Sequence, residues 1–83
     1  MVPVRHVAAC ITADGLLLID RNRGSLFTSN NVAASIWRHI ETNTPVDDIA
    51  VAVAAECEVP LDVAHKDVVD FVTQLRERGL VHD

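Results

Sequence analysis

The first thirty residues carry short apolar runs separated by turn residues, whereas the remainder repeats apolar residues every three or four positions. The first part therefore reads as strands and the second as helices. Residues 4 to 12, VRHVAACIT, are rich in β-branched side chains, and the Asp14-Gly15 pair predicts a turn before LLLID at 16 to 20. A second turn, RNRG at 21 to 24, leads into SLFTS at 25 to 29, the third strand of an antiparallel meander.

In NNVAASIWRHI the residues Val32, Ile36 and Ile40 recur every fourth position with Ala33 and Trp37 beside them. This spacing predicts a first helix over about 31 to 42, capped by Ser29, Asn30 or Asn31. For the second helix Thr44 suits the N-cap, Pro45 the first helical position, and Asp47 and Asp48 the positive end of the helix. Its expected buried stripe is Val46, Ile49, Ala50, Val53, Ala54 and Cys57. Val59-Pro60 opens a third helix with Leu61, Ala64, Val68, Phe71, Val72 and Leu75 at helical spacing; Gly79 ends it, and Leu80 and Val81 fold back onto the core. The fold class is α+β, winged helix-turn-helix-like, with a three-stranded antiparallel sheet followed by three helices.

Eighty-three residues give one domain over 1–83 and a single modest core, with hardly room for a deep active-site cavity. Seven Lys and Arg against twelve Asp and Glu leave a net charge of -5, which repels nucleic acid unless a basic stripe overrides it. The basic residues form no such stripe. The N-terminus lacks the pattern of a signal peptide, and no run reaches the roughly 20 apolar residues of a membrane span. A cytoplasmic protein without membrane contact is expected.

Candidate chemistry is sparse. His6, His39, His65 and His82 fall on different elements with no HExxH spacing, so no metal is expected, and three glycines without a phosphate-binding motif suggest no nucleotide cofactor. Cys10 and Cys57 have no CxxC partner; two small buried thiols and a disulfide between them both remain open. Asp67 and Asp70, one helical turn apart, have the spacing for acid-base work but equally that of a solvated acidic face. No cofactor and no enzymatic activity are expected.

Surface is what remains. At about 100° per residue, Val69 falls off the edge of the apolar sector of the third helix, beside His65 and Arg76. The third strand has no Lys, no Pro and no inward charge to blunt an edge, and its alternation sends Leu26 and Phe27 to opposite faces. An open edge beside an apolar helix flank is the geometry in which an extended peptide adds as another strand. The pattern alone also allows a third strand that is interior or covered by the chain's own termini.

Taken in order, DGLLLIDRNRGSLFTSNNVAASIW, TPVDDIAVAVAAECEVP and DVVDFVTQLRERGL resemble the PqqD-like peptide-recognition elements, and among them the small stand-alone proteins of bacterial lasso-peptide biosynthesis. The resemblance runs from about residue 4 to Leu80. It implies a non-catalytic winged-helix domain that binds the leader region of a ribosomally made precursor peptide as an added strand. It further implies delivery of that leader to a cysteine leader peptidase and to a lasso cyclase. Carried over by position, it places peptide binding on Ser25, Leu26, Phe27 and Thr28 of the third strand and on Val69, Val72, Thr73 and Arg76 of the third helix. Two other functions share the connectivity. One is partnership with a radical enzyme in another peptide pathway, and the other is a winged-helix DNA-binding regulator. For the regulator the third helix offers Asp62, Asp67 and Asp70 before Arg76 and Arg78, the wrong balance for phosphate.

Overall fold

The change of period at residue 30 becomes a change of element. In the computed structural model, which describes residues 1–83, the order is β1 (Val2–Pro3), β2 (Val7–Thr12), β3 (Gly15–Asp20), β4 (Ser25–Ser29), α1 (Asn31–Glu41), α2 (Val46–Glu56), α3 (Leu61–Glu77) and β5 (Val81–His82). Strands β2, β3 and β4 form the expected antiparallel meander with β3 in the middle, and the three helices follow it. The α+β architecture is thus as the pattern predicts.

The first expected strand, 4 to 12, is shortened to β2, and a further strand forms ahead of it. The chain turns at Arg5 and His6, so Val2 and Pro3 leave the meander and pair with His82 and Val81 in a separate two-stranded sheet. Leu80 and Val81 are buried there, as the hydrophobic pattern requires.

Both turns of the meander are closed by side chains. Thr12 Oγ1 accepts from the Asp14 N–H at 3.2 Å; the loop residues are Ala13 and Asp14 and the strand starts at Gly15, one residue earlier than a turn centred on Asp14-Gly15 would place it. At the second turn Asp20, only 5 % exposed, accepts from the N–H groups of Asn22 and Arg23 at 3.0 and 3.2 Å. Its buried charge is further offset by Arg23 Nε at 3.8 Å, and His6 Nε2 lies 3.7 Å from the same carboxylate. Gly24, with φ of 67°, completes the turn.

Asn30 is the cap of α1, its Oδ1 accepting from the Ala33 N–H at 3.0 Å. For α2 the expected register moves by one residue. Pro45 and Pro60 are themselves the N-caps of α2 and α3, with ψ of 146° and 147°, and their carbonyls accept from Ile49 and Ala64. Thr44 instead bonds Thr42 through its hydroxyl, and the first-turn acids Asp47, Asp48 and Asp62 place negative charge at the positive ends of α2 and α3 without a side-chain capping bond. At the far end of α3, Gly79 at φ 68° lets Leu80 N–H reach back to the Leu75 carbonyl at 2.9 Å, a Schellman closure.

The core joins one face of β3, Leu16 and Leu18, to Ile36, Trp37 and Ile40 of α1, Ile49 and Val53 of α2, and Val68, Phe71 and Leu75 of α3. Trp37 is its largest fully buried side chain, and its indole N–H has no hydrogen-bond partner, a cost of about 1–3 kcal/mol that the buried ring area offsets. Leu61 departs from the expected stripe: at the first residue of α3 it is 55 % exposed. The cysteines also depart from it. Cys10 is exposed on the outer face of the sheet, Cys57 is half-buried after α2, and both are free thiols.

Candidate functional site

The strand expected third is β4, and it is an edge: the sheet order ends with it, so its N–H and C=O groups directed away from β3 have no strand to meet. Register fixes which way its side chains point. Phe27 lies opposite Leu18, and Ser25 opposite Asp20, on the buried face; Leu26 lies opposite Ile19, and Thr28 opposite Leu17, on the outer face. Leu26 is 63 % exposed.

Phe27 anchors the inner side of this edge. Its ring centroid is 5.8 Å from that of Phe71 on α3, and the Arg78 guanidinium sits 4.7 Å over it. On either side the surface opens. Towards the end of β4 lies a cleft of about 240 Å³ between Ser29 and Asn30 on one wall and Asp67, Asp70, Phe71 and Gln74 of α3 on the other. Towards its start a small depression of about 40 Å³ lies between Ser25 and Arg78. The candidate site is therefore a trough along β4, floored by Phe27 and Phe71 and walled by α3.

The carried-over helix residues lie elsewhere on α3. At about 100° per residue, Asp67, Gln74 and Arg78 flank Phe71 on the side of β4, whereas Val69 and Arg76 stand about 140–160° around the helix. Val72 is buried at 7 % exposure and belongs to the core. Thr73 is exposed and donates its hydroxyl to the Val69 carbonyl at 2.8 Å. Arg76 is occupied by Asp83 through two hydrogen bonds of 3.1 and 3.3 Å, and this guanidinium holds the Asp83 carboxyl below its ordinary value. The structure thus brings Ser25 and Phe27 together with the α3 wall, sets Leu26 and Thr28 on the other face of the same strand, and separates Val69 and Arg76 from both. The physical reason is that α3 has two flanks beside its buried stripe, and only tertiary packing decides which one meets β4.

Electrostatics along the trough is acidic near its helix wall. Asp70 pairs with Lys66 at 2.9 Å, a hydrogen bond that raises the lysine above its ordinary value, while Asp67 has no salt-bridge partner. No group of three or more His, Cys, Asp and Glu side chains is gathered anywhere in a way that would hold a metal ion. The one Ser, His and Glu cluster, Ser35, His39 and Glu56, has the carboxylate between the other two: Ser35 donates to it at 2.9 Å and His39 Nε2 meets it at 2.7 Å. That order braces helices and leaves the serine without a base.

Sequence reasoning missed Phe71 and Gln74 as walls of the trough. The available signal was the spacing Asp67, Asp70, Phe71, Gln74 and Arg78, a polar flank interrupted by one aromatic.

No curated protein matches the chain. Among solved structures, TbiB1 in complex with the TbiA(beta) leader peptide shares the fold at a TM-score of 0.83 and 24 % identity, covering 100 % of both chains. Lasso peptide synthetase B1 complexed with the leader peptide is similar at a TM-score of 0.82 and 26 % identity, over 98 % of this chain and 95 % of that one. The family model of coenzyme PQQ synthesis protein D matches residues 15–81, from the first residue of β3 to the start of β5, and on that match the chain belongs to the PqqD family.

Proposed function

We propose that this protein is a non-catalytic adaptor that binds the leader region of a ribosomally synthesised precursor peptide as an added strand on β4. The observation that carries the reading is the unpaired edge of β4 beside an aromatic-floored trough. The similarity to a lasso peptide synthetase B1 solved with a leader peptide supports it. Backbone hydrogen bonds to Ser25, Leu26, Phe27 and Thr28 set the register. Alternate leader side chains then enter the trough over Phe27 and Phe71, and the others lie outward beside Leu26 and Thr28. Asp67 and Asp70 favour a basic residue in the leader. The adaptor holds the leader for a cysteine peptidase that removes it and a cyclase that closes the ring, raising their local substrate concentration. Partnership with a radical enzyme in another peptide pathway uses the same binding mode, and the enzyme encoded alongside discriminates the two.

The test is fluorescence polarisation of a labelled leader peptide, taken from the precursor encoded beside this protein, titrated with the full chain. Gln74→Trp, an exposed α3 position on the wall of the cleft, is expected to fill it and weaken binding about tenfold or more. Val69→Asp, on the opposite flank, is expected to leave affinity within about twofold. The same titration weighs the assignment of binding to Val69, Val72, Thr73 and Arg76: loss of binding in Val69→Asp with none in Gln74→Trp would move the site to that flank. No saturable binding by the folded wild type would remove the adaptor reading.

A further inference from the structure

The flank of α3 turned away from β4 is also open, and it is apolar. Leu61, His65 and Val69 follow one another at four-residue spacing along it, and Val51 of α2 stands beside them at 58 % exposure. Between the two helices Val51, Leu61 and His65 border a broad, shallow groove of about 670 Å³ whose floor includes Ala50. Large exposed aliphatic side chains gathered on one face of so small a chain mark an interaction surface more often than an accident of packing.

The rim of this groove is acidic. Asp47, with its side chain 94 % exposed, stands at the start of α2, and Asp62 stands at the start of α3. His65 Nε2 lies 3.8 Å from Asp47 Oδ1 across the groove. An apolar floor between two carboxylates complements a partner that inserts a bulky apolar side chain flanked by Lys or Arg. A second copy of this chain does not have that chemistry, because each copy carries a net charge of -5 and no basic cluster to meet the rim.

We infer that the Val51, Leu61 and His65 groove between α2 and α3 docks the leader peptidase through an apolar anchor flanked by basic residues. The inference rests on the leader-binding reading and deepens it. The peptidase is the enzyme that acts while the leader is still held, so its docking surface must stay free when the trough on β4 is filled. The two flanks of α3 satisfy that requirement, since they lie on either side of its buried stripe. Docking on the far flank leaves both the β4 edge and the Phe27 to Phe71 floor uncovered.

The experiment is isothermal titration calorimetry of the full chain, saturated with leader peptide, against the purified peptidase. Val51→Glu with Leu61→Glu places like charge on the floor at exposed helical positions, and Asp47→Arg with Asp62→Arg inverts the rim. Each pair is expected to weaken peptidase binding about tenfold or more, with leader affinity within about twofold of wild type and an unchanged circular-dichroism spectrum. The charge-inverted pair serves if the floor variant fails to fold. Unchanged peptidase affinity in both folded variants would overturn the proposal. So would loss of leader affinity in step with peptidase affinity, which would place the groove in the leader site. A wild type that binds leader but no peptidase, or only the cyclase, would overturn the docking proposal and leave leader binding standing. A wild type that binds no leader at all would bring down the leader reading first.

Discussion

At Gly15 and Gly24 the same residue type does two different tasks. Both have positive φ, 141° and 67°, but a Cβ on Gly24 would meet nothing within 4 Å, whereas one on Gly15 would collide with the Ser29 carbonyl oxygen and the Asn30 backbone. Gly15 thus lets β3 press against the junction at which β4 becomes α1, the junction that fixes the direction of the edge strand. Gly24→Ala is expected to cost about 1 kcal/mol, the left-handed penalty alone. Gly15→Ala adds a backbone collision that no side chain can relieve, and about 3 kcal/mol or more is expected. Chemical denaturation of the two variants gives the comparison directly. Equal midpoints would mean that the β4 to α1 junction yields easily, and that the edge is softer than its packing implies.

At the scale of elements, α1 and α2 are tied by one polar brace. Glu56, at the end of α2, accepts from Ser35 and meets His39, both on α1. The hydrogen bond from His39, then that from Ser35, holds the Glu56 carboxyl below its ordinary value of 4.5, with the charge of Arg38 adding to them. A depressed carboxyl stabilises the fold above its unfolded pKa, and that contribution is lost as pH falls from there through the folded value. Glu56→Gln is expected to be less stable than wild type at neutral pH by about 1 kcal/mol or less, since the pair is half-exposed and screened. The gap between the two melting curves should close as pH falls below about 4.5. A gap that stays constant down to acid pH would mean that the brace acts through shape and not through charge.

The same elements show what the sequence carries. Leu16, Leu18, Ile36, Ile40 and the stripe from Ala64 to Leu75 state their burial by spacing, so strand order, helix number and the α+β class are legible before any coordinates. The edge character of β4 is only half legible: the strand carries no blunting residues, but the pattern equally allows an interior or covered strand, and it is the sheet order that makes it an edge. Which flank of α3 walls the trough is not legible. Val69 and Gln74 sit on opposite sides of one stripe, and a helical wheel has no term for the position of β4. Leu61 misled for a related reason: periodicity places it in the apolar sector, but at the first turn of α3 it stands on the border of the open groove with α2 and stays 55 % exposed. Cys10 has the composition of a core residue and the parity of an outer-face one, and parity decided.

For the molecule as a whole, the two open flanks of α3 make a testable difference between a bridge and an activator. If one copy must hold leader on β4 and enzyme between α2 and α3 at the same time, the productive species is ternary. With precursor and peptidase fixed, the rate of leader removal should then rise with added protein, pass through a maximum, and fall when separate copies hold leader and peptidase apart. The net charge of -5 works against pairing between those excess copies, so the falling limb would report competition and not aggregation. Adding free leader peptide at the maximum should depress the rate in the same way, by occupying the trough. The measurement is the initial cleavage rate against concentration of this protein, from well below to well above that of the peptidase. A rate that rises to a plateau and stays there would show that leader and enzyme need not share one copy. In that case the far flank of α3 could still bind the peptidase, but its distance from β4 would have no bearing on delivery.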